Sequence, residues 1–299
     1  MATVQEGHNP IFARYDRWRG DAPSGYSVDF LGVKTRAAFN TMGGEFTSLG
    51  GSASLPRFDE EYFEWIDVLE AVDAAVGRFT MVELGAGYGR WLAIAAAAAR
   101  QRGLRQLLIG VEAEPTHYRW MIEHLRENGV PRRATRFHKA AVARADGVAT
   151  FHVGDPSSWY GQAIDQNLSL RRKPTFQERR DWFIGRFRSP GLGRGLQSVR
   201  AISLRTLLKG LDRIDLLDLD VQGVEADVLE GATDELNAKV RRVHVGTHSL
   251  ENEERCRLLF SAFGWTNRND FPSGREVETP YGSISFQDGV QTWSNSSLR

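Results

Sequence analysis

An α/β fold with a mostly parallel sheet and helices on both faces is predicted from three observations. Short apolar runs recur, each followed by a helical pattern. The first run opens directly into a turn with glycine at every second position. An acidic residue stands at the tip of each of the first two runs. Strands that alternate with helices pair in parallel through right-handed crossovers.

The elements follow in chain order. Residues 1–57 read as an irregular N-terminal extension, punctuated by Gly43-Gly44 and Gly50-Gly51 and closed near Pro56. The main domain then spans 58–299. Tyr62, Ile66, Leu69 and Val76 recur at helical spacing, and Gly77 ends that helix. Phe79 to Leu84 is a buried-strand pattern, Gly85 to Gly89 a turn, and Arg90 to Arg102 an Ala-rich helix. Leu107 to Val111 is a second strand. Pro115 suits the first turn of a helix striped by Tyr118, Met121, Ile122 and Leu125 and stopped by Asn128-Gly129. Ala134 to His138 and Val148 to Val153 read as strands. Residues 155–198, rich in Arg, Gly and Pro, read as an insertion or lid with little strand signal. Beyond it come a short helix at Ser203 to Leu208, a buried strand at Ile214 to Val221 and a helix from Val224. A strand at Val240 to Val245 and a helical stripe of Cys256, Leu259, Phe260 and Phe263 follow. Strand-like alternation from Gly282 to Trp293 closes the chain.

Composition excludes several function classes. Lys plus Arg number 38 and so do Asp plus Glu, so no global charge recruits nucleic acid or an anionic membrane. Cys256 stands alone, so the fold needs no intrachain disulfide. The longest small-apolar run, Leu92 to Ala99, is far short of the roughly 20 residues of a membrane span. Met1 to Pro10 lacks the apolar core of a secretory leader. A cytoplasmic location is expected.

The glycine turn narrows the ligand. Glycine admits positive φ and leaves no Cβ, so the backbone can approach a bound molecule closely. The following helix aims its N-terminus at the same place. A dinucleotide fingerprint needs G-x-G-x-x-G, which would put glycine at position 90, where Arg90 stands. Here the spacing is G-x-G-x-G, and Glu83 stands two residues before it. A carboxylate there repels a pyrophosphate but suits the cationic ammonium and sulfonium of S-adenosylmethionine (SAM). Glu83, Gly85, Ala86, Gly87, Tyr88 and Gly89 are therefore assigned to cofactor binding, against the plainer reading of a tight turn packed with small residues. Glu112, at the tip of the second strand, can accept both ribose hydroxyls. It lies somewhat beyond the ~20-residue spacing typical of dinucleotide folds. Glu114 competes for that role, and Ala113 adjoins it. A nicotinamide-dependent oxidoreductase and a non-catalytic SAM-binding module are the alternatives.

At this point the chain resembles a known group. Val111 to Asn128, VEAEPTHYRWMIEHLREN, is similar to the second-strand and helix motif of FkbM-family methyltransferases. His138 to Val142, HKAAV, resembles that family's third-strand segment near the adenine, which adds Ala141 to the cofactor residues. Leu216 to Gly231, LLDLDVQGVEADVLEG, resembles its most specific segment and fixes Asp220, Gly223, Glu225 and Gly231 together. The resemblance covers roughly 79–154 and 199–290. The family commonly has Lys in place of Asp218 and Glu in place of Gln222. The resemblance implies a Rossmann-like class I methyltransferase fold with a seven-stranded sheet and an antiparallel closing strand. It also implies O-methylation of a hydroxyl on a sugar or natural product, and thus a role in natural-product biosynthesis.

A hydroxyl nucleophile needs a proton acceptor. Asp220 is the first candidate, as base, hydroxyl acceptor or metal ligand, with a helix N-cap as its structural alternative. His248, in Gly246-Thr247-His248-Ser249, is the second. His244, within the strand, reads as structural. Gln222 and Glu225 are assigned to the substrate. A divalent metal on Asp218, Asp220, Glu225 and His248 is chemically open but not expected. Nine Arg or Lys residues between Arg171 and Arg200 meet only two acids, Glu178 and Asp181, with Phe176, Trp182, Phe183 and Phe187 interleaved. Upstream, Trp159 and Tyr160 offer a stacking platform for the substrate. A small hydroxylated molecule is the expected partner, nucleic acid is disfavoured, and the sequence leaves the oligomeric state open.

Overall fold

A computed structural model describes residues 7–39, 51–153 and 195–298. A seven-stranded sheet dominates it. Strands β1 (Arg19–Gly20), β2 (Tyr26–Val28), β3 (Lys34–Arg36) and β4 (Gly51–Ser52) form two small antiparallel pairs before the main domain. Helix α1 (Tyr62–Asp73) leads into β5 (Arg78–Leu84), α2 (Arg90–Gln101), β6 (Arg105–Glu112), α3 (Pro115–Glu127) and β7 (Thr135–Lys139). Next come β8 (Ala141–Ala143), β9 (Gly147–Val153), β10 (Gly195–Ser203), α4 (Leu204–Leu208) and β11 (Leu216–Leu219). Helices α5 (Glu225–Glu230) and α6 (Thr233–Lys239), strand β12 (Arg242–Thr247) and helix α7 (Leu250–Ala262) follow. The chain ends with β13 (Thr266–Phe271), β14 (Arg275–Thr279), β15 (Gly282–Phe286) and β16 (Gly289–Ser294).

The main sheet runs β13-β16-β12-β11-β5-β6-β7, with β12, β11, β5, β6 and β7 mutually parallel. Strand β16 enters antiparallel to β12, and β13 antiparallel to β16. This is a Rossmann-like α/β fold. The order in which successive strands are added reverses between β5 and β11, which places the ligand crevice at their carboxyl ends. Because helices cover both faces, the inner strands are apolar on both sides: β5 is buried from Phe79 to Leu84 and β11 throughout.

Local chemistry explains the helix boundaries. Glu114 caps α3, accepting from the N–H groups of Thr116 (2.5 Å) and His117 (2.6 Å), with Pro115 in the first turn. Ser203 caps α4 through Thr206 N. Helix α2 begins at Gly89, which has no cap side chain, and Glu83 from the neighbouring strand accepts from Leu92 N at 3.3 Å instead.

Several expectations are corrected. The described part of the N-terminal extension packs onto the main domain. Ile11, Phe12, Tyr15, Phe30, Leu31 and Val33 join the core formed by α1, α2 and β5. Beginning in the last residues of the segment read as poor in strand signal and running beyond it, Gly195–Ser203 forms β10, pairing antiparallel with β9 and parallel with β8. Strand β13, which carries no apolar alternation, is an outer strand exposed over its first half, with only Phe271 packed against the core. The closing alternation divides in two: β15 pairs with β14 in a separate hairpin, and only β16 enters the main sheet. Val76 lies past the end of α1 and Phe263 past α7, and both are exposed. Most of the insertion, with Trp159 and Tyr160, lies outside the described residues. No helix among the described residues is long and apolar enough to cross a membrane.

Candidate active site

A cavity of about 960 Å³ opens at the carboxyl ends of β5, β6 and β11. The glycine turn forms one wall. Gly85, at φ +81°, lies against the backbone of the opposite strand tip: a Cβ there would stand 1.7 Å from the Asp220 carbonyl oxygen. Asp220 N in turn donates to Leu84 O (3.0 Å), so the two strand tips interlock by backbone alone. Gly89, at φ +70°, leaves room for Met121 and Leu125 of α3, whose carbons would come within 3 Å of a Cβ.

Glu112 and Glu114 divide as their surroundings require. Glu112 lines the cavity, and its two oxygens accept from Gly87 N (2.8 Å) and Glu114 N (2.7 Å). Burial raises its carboxyl to about 7 despite those bonds. Glu114 is buried at the start of α3 and spent on capping it. Ala113 and the run Ala140 to Val142 give the same wall a smooth apolar surface. Ala86 and Tyr88 also line it, and Tyr88 stacks on Phe39 of the N-terminal segment.

Asp220 stands just past the end of β11 with its carboxylate open to the cavity. It does not cap α5, whose cap position is Val224. Seclusion from bulk water raises it to about 6, against the lowering pull of His248. His248 sits behind it, Nε2 3.3 Å from Asp220 and Nδ1 2.7 Å from Glu225, with Asp288 at 3.8 Å. Burial opposes charge on this ring, but Glu225, Asp220 and Asp288 outweigh it and lift the imidazole to about 9. The side-chain amide of Gln222 lies 2.9 Å from Nε2; holding both a donor and an acceptor, it can serve either protonation state. Gln222 itself is held at φ +54°, a costly conformation for a side-chain-bearing residue.

Glu225, expected among substrate contacts, is fully buried instead. Its carboxylate accepts from Gly223 N (2.7 Å), Asn252 Nδ2 (2.9 Å) and His248. It orients the imidazole and does not reach the cavity. The metal quartet drawn from the sequence likewise separates. Asp220, Glu225 and His248 form one group. Asp218 joins a second with Glu64 and His244, where one ligand atom from each lies within 4.8 Å of the others.

Sequence reasoning missed several lining residues. Asp29, Phe30 and Val33 come from the N-terminal segment, Glu64 and Trp65 from α1, and Asp288 from the turn before β16. Arg90, in the position a dinucleotide fingerprint gives to glycine, lies against the cavity. It bonds Glu61 at 2.5 Å and stacks over Trp91. Its departure from glycine is the one signal of this contact that the sequence carries.

Comparisons with known proteins agree with this geometry. The profile of the methyltransferase FkbM domain matches residues 83–271. A protein of Jannaschia sp. (strain CCS1), described as a candidate methyltransferase, is 29% identical over 257 residues, covering 84% of this chain and 86% of its own. Among solved structures, a methyltransferase FkbM from Methylobacillus flagellatus KT is 12% identical with a TM-score of 0.43. That match covers 74% of this chain, and this chain spans only 45% of that one. A precorrin-6y C5,15-methyltransferase from Geobacter metallireducens GS-15 is 9% identical with a TM-score of 0.39, covering 81% of this chain and 93% of its own. The domain match takes in the glycine turn, both strand-tip acids, Asp220 and His248, and on it the chain belongs to the FkbM methyltransferase family.

Proposed function

We propose that this methyltransferase binds SAM over the glycine turn and methylates a hydroxyl of a small sugar or natural-product acceptor. One observation carries the reading: the turn and Glu112 face Asp220 across a single cavity, with His248 directly behind Asp220. The residues fit the cofactor. Glu112 retains lone pairs for two ribose hydroxyls, Ala113 and Ala140 to Val142 offer an apolar bed for adenine, and Gly85 leaves backbone exposed to the ligand. Glu83, buried at the end of β5, gives the cationic end a negative neighbour, and Arg90 supplies a partner for its carboxylate. Bound there, SAM supplies an electrophilic methyl group on a sulfonium.

The chain's own groups align the acceptor and take up its proton. Alignment and exclusion of water can contribute about 7–11 kcal/mol to such a displacement. Asp220 is placed to accept the acceptor's O–H. His248, oriented by Glu225 and already protonated near neutral pH, adjoins Asp220 and favours its ionised, proton-accepting form. Gln222 lies at the same rim, and Trp159 and Tyr160 complete the proposed acceptor contacts. A cytoplasmic setting and a place in natural-product assembly belong to the same proposal.

Calorimetric titration with SAM and with S-adenosylhomocysteine tests the cofactor half, and absence of binding to either at millimolar concentration removes it. Asp220→Asn tests the other half. Loss of a positioned proton acceptor lowers kcat by about 10²–10⁴-fold with SAM affinity held within a few-fold. Unchanged turnover would take Asp220 out of the chemistry.

A further inference from the structure

A second polar constellation underlies the cavity and, Glu83 apart, plays no part in the scheme above. Register pairs Glu83 with Asp218, Asp218 with His244, and His244 with Thr292, so a polar row crosses four adjacent strands of an otherwise apolar sheet. Helix α1 lies over that row and brings down Glu64 and Asp67, three residues apart and hence on one helix face.

Asp67 is fully engaged. It accepts from Arg242 (3.0 Å), Thr292 Oγ1 (2.5 Å) and His244 Nδ1 (2.8 Å). A carboxylate on one imidazole nitrogen fixes the ring and commits the other nitrogen to the opposite side, as around metal-bound histidines. On that side stand Glu64 and Asp218. Glu64 meets the like charges of Asp218, Glu61 and Glu83, relieved by the more distant Arg90 and by a hydrogen bond to Asp218. Glu83 likewise faces Asp218 and Glu112. Two carboxylates and an oriented imidazole thus converge beside the cavity with more negative than positive charge around them.

We propose that Glu64, Asp218 and His244 bind a divalent transition-metal cation at the floor of the cavity. The spacing suits one. Metal–ligand bonds of about 2.0–2.2 Å hold opposite ligands roughly 4–4.4 Å apart. Neighbouring ligands of one ion stand closer, about 3–3.6 Å; the three ligand atoms lie within 4.8 Å of one another, so side-chain rotation toward a common centre closes the site. Two carboxylates with one imidazole suit Mn²⁺, Fe²⁺ or Zn²⁺ better than the all-oxygen cages of Ca²⁺ and Mg²⁺. Three protein ligands leave coordination positions facing the cavity, where an acceptor oxygen can bind and be made more acidic. The site is distinct from the Asp220–His248–Glu225 group.

The test uses the full-length protein, stripped with EDTA and titrated with Mn²⁺ in the absence of SAM. Free Mn²⁺ is read by electron paramagnetic resonance, and thermal denaturation is followed on the same samples. Expected are one saturable site per chain, displacement by Zn²⁺ and a metal-dependent rise in Tm. Glu64→Gln and Asp218→Asn each weaken binding at least tenfold, and Glu225→Gln leaves it unchanged. Glu64→Gln, on the cavity side of α1, keeps the experiment readable should the buried Asp218 variant misfold. Absence of saturable binding, or equal binding by the variants, overturns the site. So does a loss of SAM affinity in both variants without metal binding by the wild type, which would assign these carboxylates to the cofactor's ammonium group. Because metal is measured without cofactor, failure here and failure of the SAM reading are separate results.

Discussion

Gly85→Ala tests the interlock on which the cavity depends. The new methyl would lie 1.7 Å from the Asp220 carbonyl oxygen, about half a normal contact, on a backbone at φ +81°. Left-handed backbone at a residue with a Cβ costs roughly 1–2 kcal/mol. Relieving the overlap requires one strand tip to withdraw by more than an ångström. That displacement strains the Asp220 N–Leu84 O and Gly85 N–Val111 O bonds, both 3.0 Å and each worth about 0.5–1.5 kcal/mol. The sum is about 2–5 kcal/mol, a large share of a typical 5–15 kcal/mol stability, and lowers Tm by roughly 5–15 °C. Gly77→Ala is the control, with a similar φ of +69° and nothing within 4 Å of its Cβ, so it bears the backbone cost alone. Urea denaturation of both variants gives the difference, and SAM titration gives the effect on the site. If Gly85→Ala loses no more stability than Gly77→Ala and binds SAM equally well, the close approach of the two tips does not constrain the fold.

Three further outcomes follow from the same geometry. Burial raises Glu112 from 4.5 to about 7, so its stabilising contribution is complete below pH 4.5 and is lost as pH rises through 7, by about 3 kcal/mol at 1.36 kcal/mol per unit. Ribose hydroxyls bind the ionised form, so SAM affinity rises between pH 6 and 8; Glu112→Gln should flatten both profiles, and unchanged profiles would remove Glu112 from each role. Asp67→Ala leaves Arg242 and His244 without their shared buried carboxylate and should cost about 3 kcal/mol or more in urea denaturation, and a loss under about 1 kcal/mol would show the network to be dispensable. Glu225→Gln removes the carboxylate on His248 Nδ1, so the imidazole, followed by proton NMR, should titrate below 9 and toward 6.5; an unmoved midpoint would discard Glu225 as its positioning residue.

What the sequence made legible was local. The apolar runs of β5, β6 and β12, the glycine turn, Pro115 at the start of α3 and the acid after β6 are each decided within a few residues, by side-chain periodicity and permitted φ. Side chains whose surroundings come from distant segments were not legible in this way. Glu112 and Glu114 are two residues apart, yet one lines the cavity and the other caps a helix, according to which N–H groups the fold brings to each. Glu225 and His248 look equivalent as polar residues near strand tips, but Asn252 and Gly223 close over the first and leave the second beside Asp220. The polar outer strand β13 is specified by its neighbour β16, with no pattern of its own. Above all, the grouping of Glu64, Asp218 and His244 joins residues as far apart as 64 and 244, and depends on strand register together with how α1 lies on the sheet. Both are fixed by packing over the whole core, an energy that no short window of sequence contains.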